Sequence, residues 1–187
     1  MLGLISNYIS HSSAITIIVL ALLSVYFILL FWIFLYKFFD LKEMIAREEN
    51  ALEFIIARGF NPNVDSKLCK CINDAIRSKE LLNACEISIV KDASKGVSWL
   101  SIISSTSPFI GLFGTVIGIL ESFAKFSGKS KVAFGEIAPA ISEALVATAA
   151  GIFVAIFAYT FHQIIVRKIY ELNILLKAES DIIVTKG

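Results

Sequence analysis

The chain has 187 residues, 57% of them hydrophobic, with 17 Lys+Arg against 16 Asp+Glu and a formal net charge of +1. Its mean hydropathy of +0.77 is too high for an ordinary soluble domain of this size. A charge so close to zero gives no electrostatic case for nucleic-acid binding.

Residues 1–11 place Leu2, Ile5, Tyr8 and Ile9 on one helical face, which predicts a short interfacial helix on the outer leaflet. The first transmembrane span is expected over 12–39, with no charge between 12 and 36. No Lys or Arg precedes it, and the run is too long for a signal-peptide core, so it should remain in the bilayer. Its Ile, Leu and Phe suit a lipid-facing position, and Trp32 and Tyr36 suit the interface at its inner end.

A polar helical segment is expected over 40–96. Leu41, Ile45, Glu48, Leu52 and Ile55 trace a mostly apolar stripe, which Gly59 and Pro62 end. A second helix should start near Asp65 and use Leu68, Ile72, Ala75 and Ile76. A third, over about 79–95, should run into the next span. Cys69, Cys71 and Cys85 lie here. Their odd number argues against a disulfide framework, and a C-x-C pair without histidine is a weak metal signal, so neither metal nor cofactor is expected.

The second span is expected over 97–123. Ser104, Ser107, Gly111, Gly114, Thr115, Gly118 and Ser122 form a continuous stripe of small residues, of the kind that lets helix backbones approach closely in lipid. Plain packing is the preferred reading of the glycines, whereas the Thr115 hydroxyl can bond the preceding turn or face water. Pro108 frees a carbonyl near Ser104 and is a candidate kink. An outer loop follows over 124–136, and Glu121 beside it reads as interfacial.

The third span is expected over 137–166, IAPAISEALVATAAGIFVAIFAYTFHQIIV, with Glu143 as its only charge. A carboxylate in a membrane span costs a few kcal/mol on insertion scales, and such groups mark ion or proton paths. The bland alternative is an interfacial carboxylate reaching water. Ala140, Ala144, Ala147, Gly151 and Ala155 form a second small-residue face. Glu143 and Thr148 lie about 140° apart around the helix, so both can border one cavity without stacking. Pro139 stands four residues before Glu143. His162, near the inner end, reads as a neutral hydrogen-bonded histidine. The tail over 167–187 keeps an apolar seam, Ile165, Ile169, Leu172 and Leu176, and so needs a protein neighbour.

Orientation follows from the basic residues. None occurs in 1–36, ten lie between Lys37 and Lys95, three in the loop (Lys125, Lys129, Lys131) and four in the tail. The positive-inside rule places 37–95 and the tail in the cytoplasm and the N-terminus outside. The GKS at 128–130 lacks the upstream glycine of a phosphate loop, and His11 and His162 are the only histidines. No enzyme is expected.

SPFIGLFGTVIGILESF, Ser107 to Phe123, and IAPAISEALVATAAGIFVAI, Ile137 to Ile156, resemble the two signature spans of the ExbB/TolQ/MotA proton-channel family, chiefly its ExbB and TolQ branch. The resemblance covers roughly residues 97–168. It implies an all-α, three-span protein of the bacterial inner membrane, assembled as a homopentameric ring whose second and third spans line a pore. That pore would hold an ExbD- or TolR-like single-span partner with a transmembrane aspartate, and proton flow would drive TonB- or TolA-type envelope machinery. The family's polar pore positions fall on Thr115, Glu143 and Thr148, and Pro139 also matches. Ile117 and Ala140 depart from the family pattern, and the lack of a long outer extension leans toward TolQ. The competing reading is a non-conducting scaffold held by small-residue packing.

Overall fold

The computed structural model describes residues 14–59, 65–71, 79–127 and 134–186, and almost all of them are helical. The helices are α1 Ala14–Arg58, α2 Lys67–Cys71, α3 Lys79–Ser94, α4 Val97–Phe126 and α5 Phe134–Lys186. Among them α1, α4 and α5 are long and apolar enough to cross a membrane. The expected interfacial helix at 1–11, the residues Ile72, Ala75 and Ile76, and positions 128–133 of the expected 124–136 loop lie outside the described residues, while α4 and α5 extend into the two ends of that loop, to Phe126 and from Phe134.

The expected span at 12–39 and the amphipathic stripe after it are one helix. No Gly or Pro interrupts Ala14–Arg58, so nothing breaks the hydrogen-bond ladder at the change from apolar to charged sequence. Gly59 ends α1 as expected: its φ is +84°, and its N–H bonds the carbonyl of Ile55 at 3.0 Å. The third expected span and the tail are likewise one helix of 53 residues. About 20 residues fill the hydrocarbon, so its charged C-terminal part, from Arg167 on, lies beyond the bilayer core. Pro108 and Pro139 are both accommodated inside helices.

One boundary needs correcting. The 79–95 helix does not run into the second span, because Gly96 adopts φ +80°, a left-handed conformation that stops α3 and lets α4 begin at Val97.

The chain forms two compact units. One combines the described residues up to Trp32 with Trp99–Thr160. Val19, Leu23, Leu30, Ala144, Ala147, Val154 and Ala158 are buried in it. Phe27 packs edge-on against Phe31 and Phe157 at 4.9 and 5.8 Å. Phe109, Phe113, Phe123, Ile152 and Ile156 are exposed, a surface that calls for lipid or protein cover.

The other unit combines Ile33–Ser98 with Phe161–Gly187. Leu41, Met44, Ile55, Leu68, Leu82, Leu172, Leu176 and Ile183 are buried, and Phe34 stacks on Phe161 at 3.9 Å. The tail's apolar seam thus has its neighbour, with Ile165, Leu172 and Leu176 fully covered. The cysteine expectation is corrected as well. Cys71 at the end of α2 is disulfide-bonded to Cys85 of α3, Cα to Cα 6.2 Å, and Cys69 is free and buried. An odd count excludes complete pairing, but it leaves room for one bond between helices packed side by side.

Candidate functional site

The small-residue stripes of α4 and α5 meet face to face. A Cβ on Gly111 would lie 2.7 Å from the Ala147 carbonyl oxygen and 3.0 Å from the Thr148 Cα. One on Gly151 would lie 2.5 Å from the Ser107 carbonyl oxygen and 3.0 Å from the Gly111 Cα. The obstacles are backbone atoms, which cannot swing aside, so these positions require glycine. Gly114 faces Val19 of α1 and Ala147 of α5, and a Cβ there would meet them at 2.9 and 3.1 Å. Gly118 faces Ala144, with 3.2 Å available. At all four glycines the neighbouring helix comes close enough that an added methyl meets it at 3.2 Å or less.

That approach brings Thr115 and Thr148 together. Thr115, on α4, is 8% exposed, and its Oγ1 hydrogen-bonds the Oγ1 of Thr148 on α5. Thr115 Oγ1 also lies 2.9 Å from the Ala144 carbonyl oxygen and 3.3 Å from that of Gly111. Thr148 Oγ1 reaches the Gly111 carbonyl at 3.3 Å. A hydroxyl has one proton to give and two lone pairs to receive. In one arrangement Thr148 donates to Thr115, which donates to Ala144. In the other Thr115 donates to Thr148, which donates to Gly111. The two differ only by rotation of two O–H bonds.

Glu143 is half-buried. It precedes Thr148 by five residues, about 7.5 Å of helix rise. Pro139, a further turn toward the start of α5, is exposed. Glu121 forms an ion pair with Lys125 at 3.0 Å, in keeping with an interfacial place. His162 is half-buried.

Sequence reasoning missed Thr16. It is 1% exposed, and a Cβ on Gly118 would lie 3.6 Å from its Oγ1. Its signal was a position one turn before Val19, the residue that covers Gly114. No group of three or more metal-ligating side chains occurs among the described residues.

Comparison with known proteins places this sequence in a family. Residues 47–177 match the family described as the MotA/TolQ/ExbB proton channel family. The chain is 42% identical over 188 residues to a Helicobacter pylori protein that carries the name ExbB-like 1, covering all of both chains. It is 31% identical over 158 residues to the biopolymer transport protein ExbB of Salmonella typhimurium, covering 71% of this chain and 64% of that one. It is 38% identical over 104 residues to the Tol-Pal system protein TolQ of Haemophilus influenzae, covering 56% and 43% respectively.

Proposed function

We propose a function that starts from family membership: the chain belongs to the MotA/TolQ/ExbB proton channel family, and it is a multi-pass membrane protein. Within that family it acts as an ExbB/TolQ-type ring subunit in a bacterial inner membrane. Copies of the chain, five to a ring, surround a pore lined by α4 and α5. An ExbD- or TolR-like single-span protein with a membrane aspartate occupies the pore. Protons pass between that aspartate and the Thr115, Glu143 and Thr148 positions, and the resulting movement is passed to a TonB- or TolA-type protein. The chain is not an enzyme in this reading. Each proton crossing the membrane potential releases about 2.3 kcal/mol per 100 mV, which is the energy the movement uses.

The observation that carries the reading is the Thr115–Thr148 hydroxyl pair, held between glycine-packed helices five residues from the span's only charge. The ten basic residues between Lys37 and Lys95 support a periplasmic N-terminus and a cytoplasmic C-terminus. A half-buried carboxylate, Glu143, inside an apolar span supports a ring, since such a group calls for a protein or hydrated neighbour rather than lipid.

Replacing the native gene with Glu143→Gln or Thr148→Val tests the function. Both variants should still co-purify with the single-span partner and should lose energy-dependent envelope transport. Retained transport in both, alongside lost assembly in Gly114→Leu, would favour a packing scaffold instead.

A further inference from the structure

The polar unit buries two carboxylates that the proposed conduction path does not use. Glu48 on α1 and Glu179 on α5 are both 0% exposed. Glu179 Oε1 accepts from the Ser66 hydroxyl at 2.9 Å and from the Cys69 thiol at 3.3 Å. Glu48 Oε1 accepts from the backbone N–H of Lys67 at 2.8 Å. Ser66 in turn caps α2, its Oγ accepting from the Cys69 N–H at 3.1 Å. Both carboxylates thus hold the first turn of α2, and each uses one oxygen to do so. The second oxygen of each, Oε2, is buried without a hydrogen-bond partner.

Among the described residues, the surrounding charges do not balance the pair. On α1, Arg47 is exposed and pairs with Glu43. On α2, Lys67 is exposed, and Lys70 pairs with Asp65 at 2.5 Å. From α3, Lys79, Glu80 and Glu86 border a polar cavity of about 430 Å³ with Lys177, Ser180 and Asp181 of α5. None of these bases hydrogen-bonds Glu48 or Glu179 through its side chain. Two buried negative charges without a base are a costly state, and neutralising one by a proton relieves it.

We propose that Glu48 and Glu179 form a clasp on α2 in which Glu179 holds a proton while α2 is docked on α1 and α5 and releases α2 when that proton is lost. Burial pushes Glu179 up to about 7, with the charge of Glu48 adding to the rise and the Cys69 and Ser66 donors opposing it. The sign follows. Between the ordinary glutamate range and about 7 the docked state holds a proton that the released state gives up, so docking weakens as pH rises through that window. The pH of the aqueous phase bathing this unit then sets how firmly α2 is held. The clasp goes beyond the proposed conduction and does not depend on it.

Hydrogen exchange on the full chain in detergent tests this, read at the Lys67 and Cys69 amides after correction for intrinsic rates. In the wild type, protection should fall by about tenfold or more between about pH 6 and about pH 8.5. Glu179→Gln has no proton to lose and should stay protected at both. Isotope-edited infrared spectra give a second readout: a protonated carboxylic acid band near neutral pH that disappears in Glu179→Gln. Equal wild-type protection at both pH values would overturn the proposal. So would a Glu179→Gln variant with undiminished pH dependence, or absence of the acid band. Protection restored by sodium ions at the higher pH would also overturn it, in favour of a cation held by the two free oxygens.

Discussion

In the unit built from residues up to Trp32 and Trp99–Thr160, helices α4 and α5 touch through Gly111 and Gly151, and large side chains such as Phe109 and Phe113 point outward. In the other unit the buried positions are Leu41, Ile55, Leu68, Leu82, Leu172 and Leu176. The contrast follows from the solvent. Lipid gives no hydrophobic drive to bring helices together, so close backbone approach and hydroxyl contacts hold them. Water supplies that drive, so bulky side chains go inside. The polar groups differ in the same way. Thr115 and Thr148 satisfy each other and nearby carbonyls without charge, whereas Glu48 and Glu179 each leave an oxygen unpaired.

Substitutions at matched positions sharpen this comparison. The largest stability loss is expected for Leu172→Ala, fully buried in the polar unit, at about 2–5 kcal/mol, read as a lower unfolding midpoint in detergent. Gly111→Ala should cost about 1–3 kcal/mol, because its methyl meets backbone rather than a movable side chain. The same change at Gly135 meets nothing within 4 Å and should stabilise α5 by up to about 1 kcal/mol. If both glycine variants shift the melt in the same direction, close backbone contact is not what distinguishes them. Thr148→Val should cost about 1 kcal/mol of stability, the net worth of its hydrogen bond, and should act mainly on proton flux.

The disulfide sets the proposed orientation against compartment chemistry. With Cys71 and Cys85 on the cytoplasmic side, alkylation in intact cells followed by mass spectrometry should find most of the pair reduced, and mild oxidation of the purified protein should join it. A fully bonded pair in rapidly quenched cells would argue for the opposite orientation.

The three apolar spans and the glycine stripes were legible because each is periodic and needs no distant partner to be recognised. The Gly59 stop was legible for the same reason. The break at Gly96 was missed because nothing in the sequence distinguishes a helical glycine from one at positive φ without its neighbours. Glu48 stood in the apolar stripe of α1, where it could be read as a solvated exception. Its meaning depends on Glu179, 131 positions later and three residues beyond Leu176 on the same seam. Pairing of Cys71 with Cys85 likewise depends on how α2 and α3 pack. The Thr115–Thr148 contact lies between these extremes: the family resemblance named both residues, but only the glycine geometry explains why their hydroxyls meet.

Proton uptake by sealed vesicles under an imposed membrane potential tests the central claim most directly, with the chain reconstituted beside a single-span partner that carries a membrane aspartate. Thr148→Val in an assembled complex should slow uptake by about tenfold or more, the effect of about 1.4 kcal/mol on a barrier. Glu143→Gln should slow it at least as far. Wild-type uptake in both variants, with the partner still bound, would contradict the account.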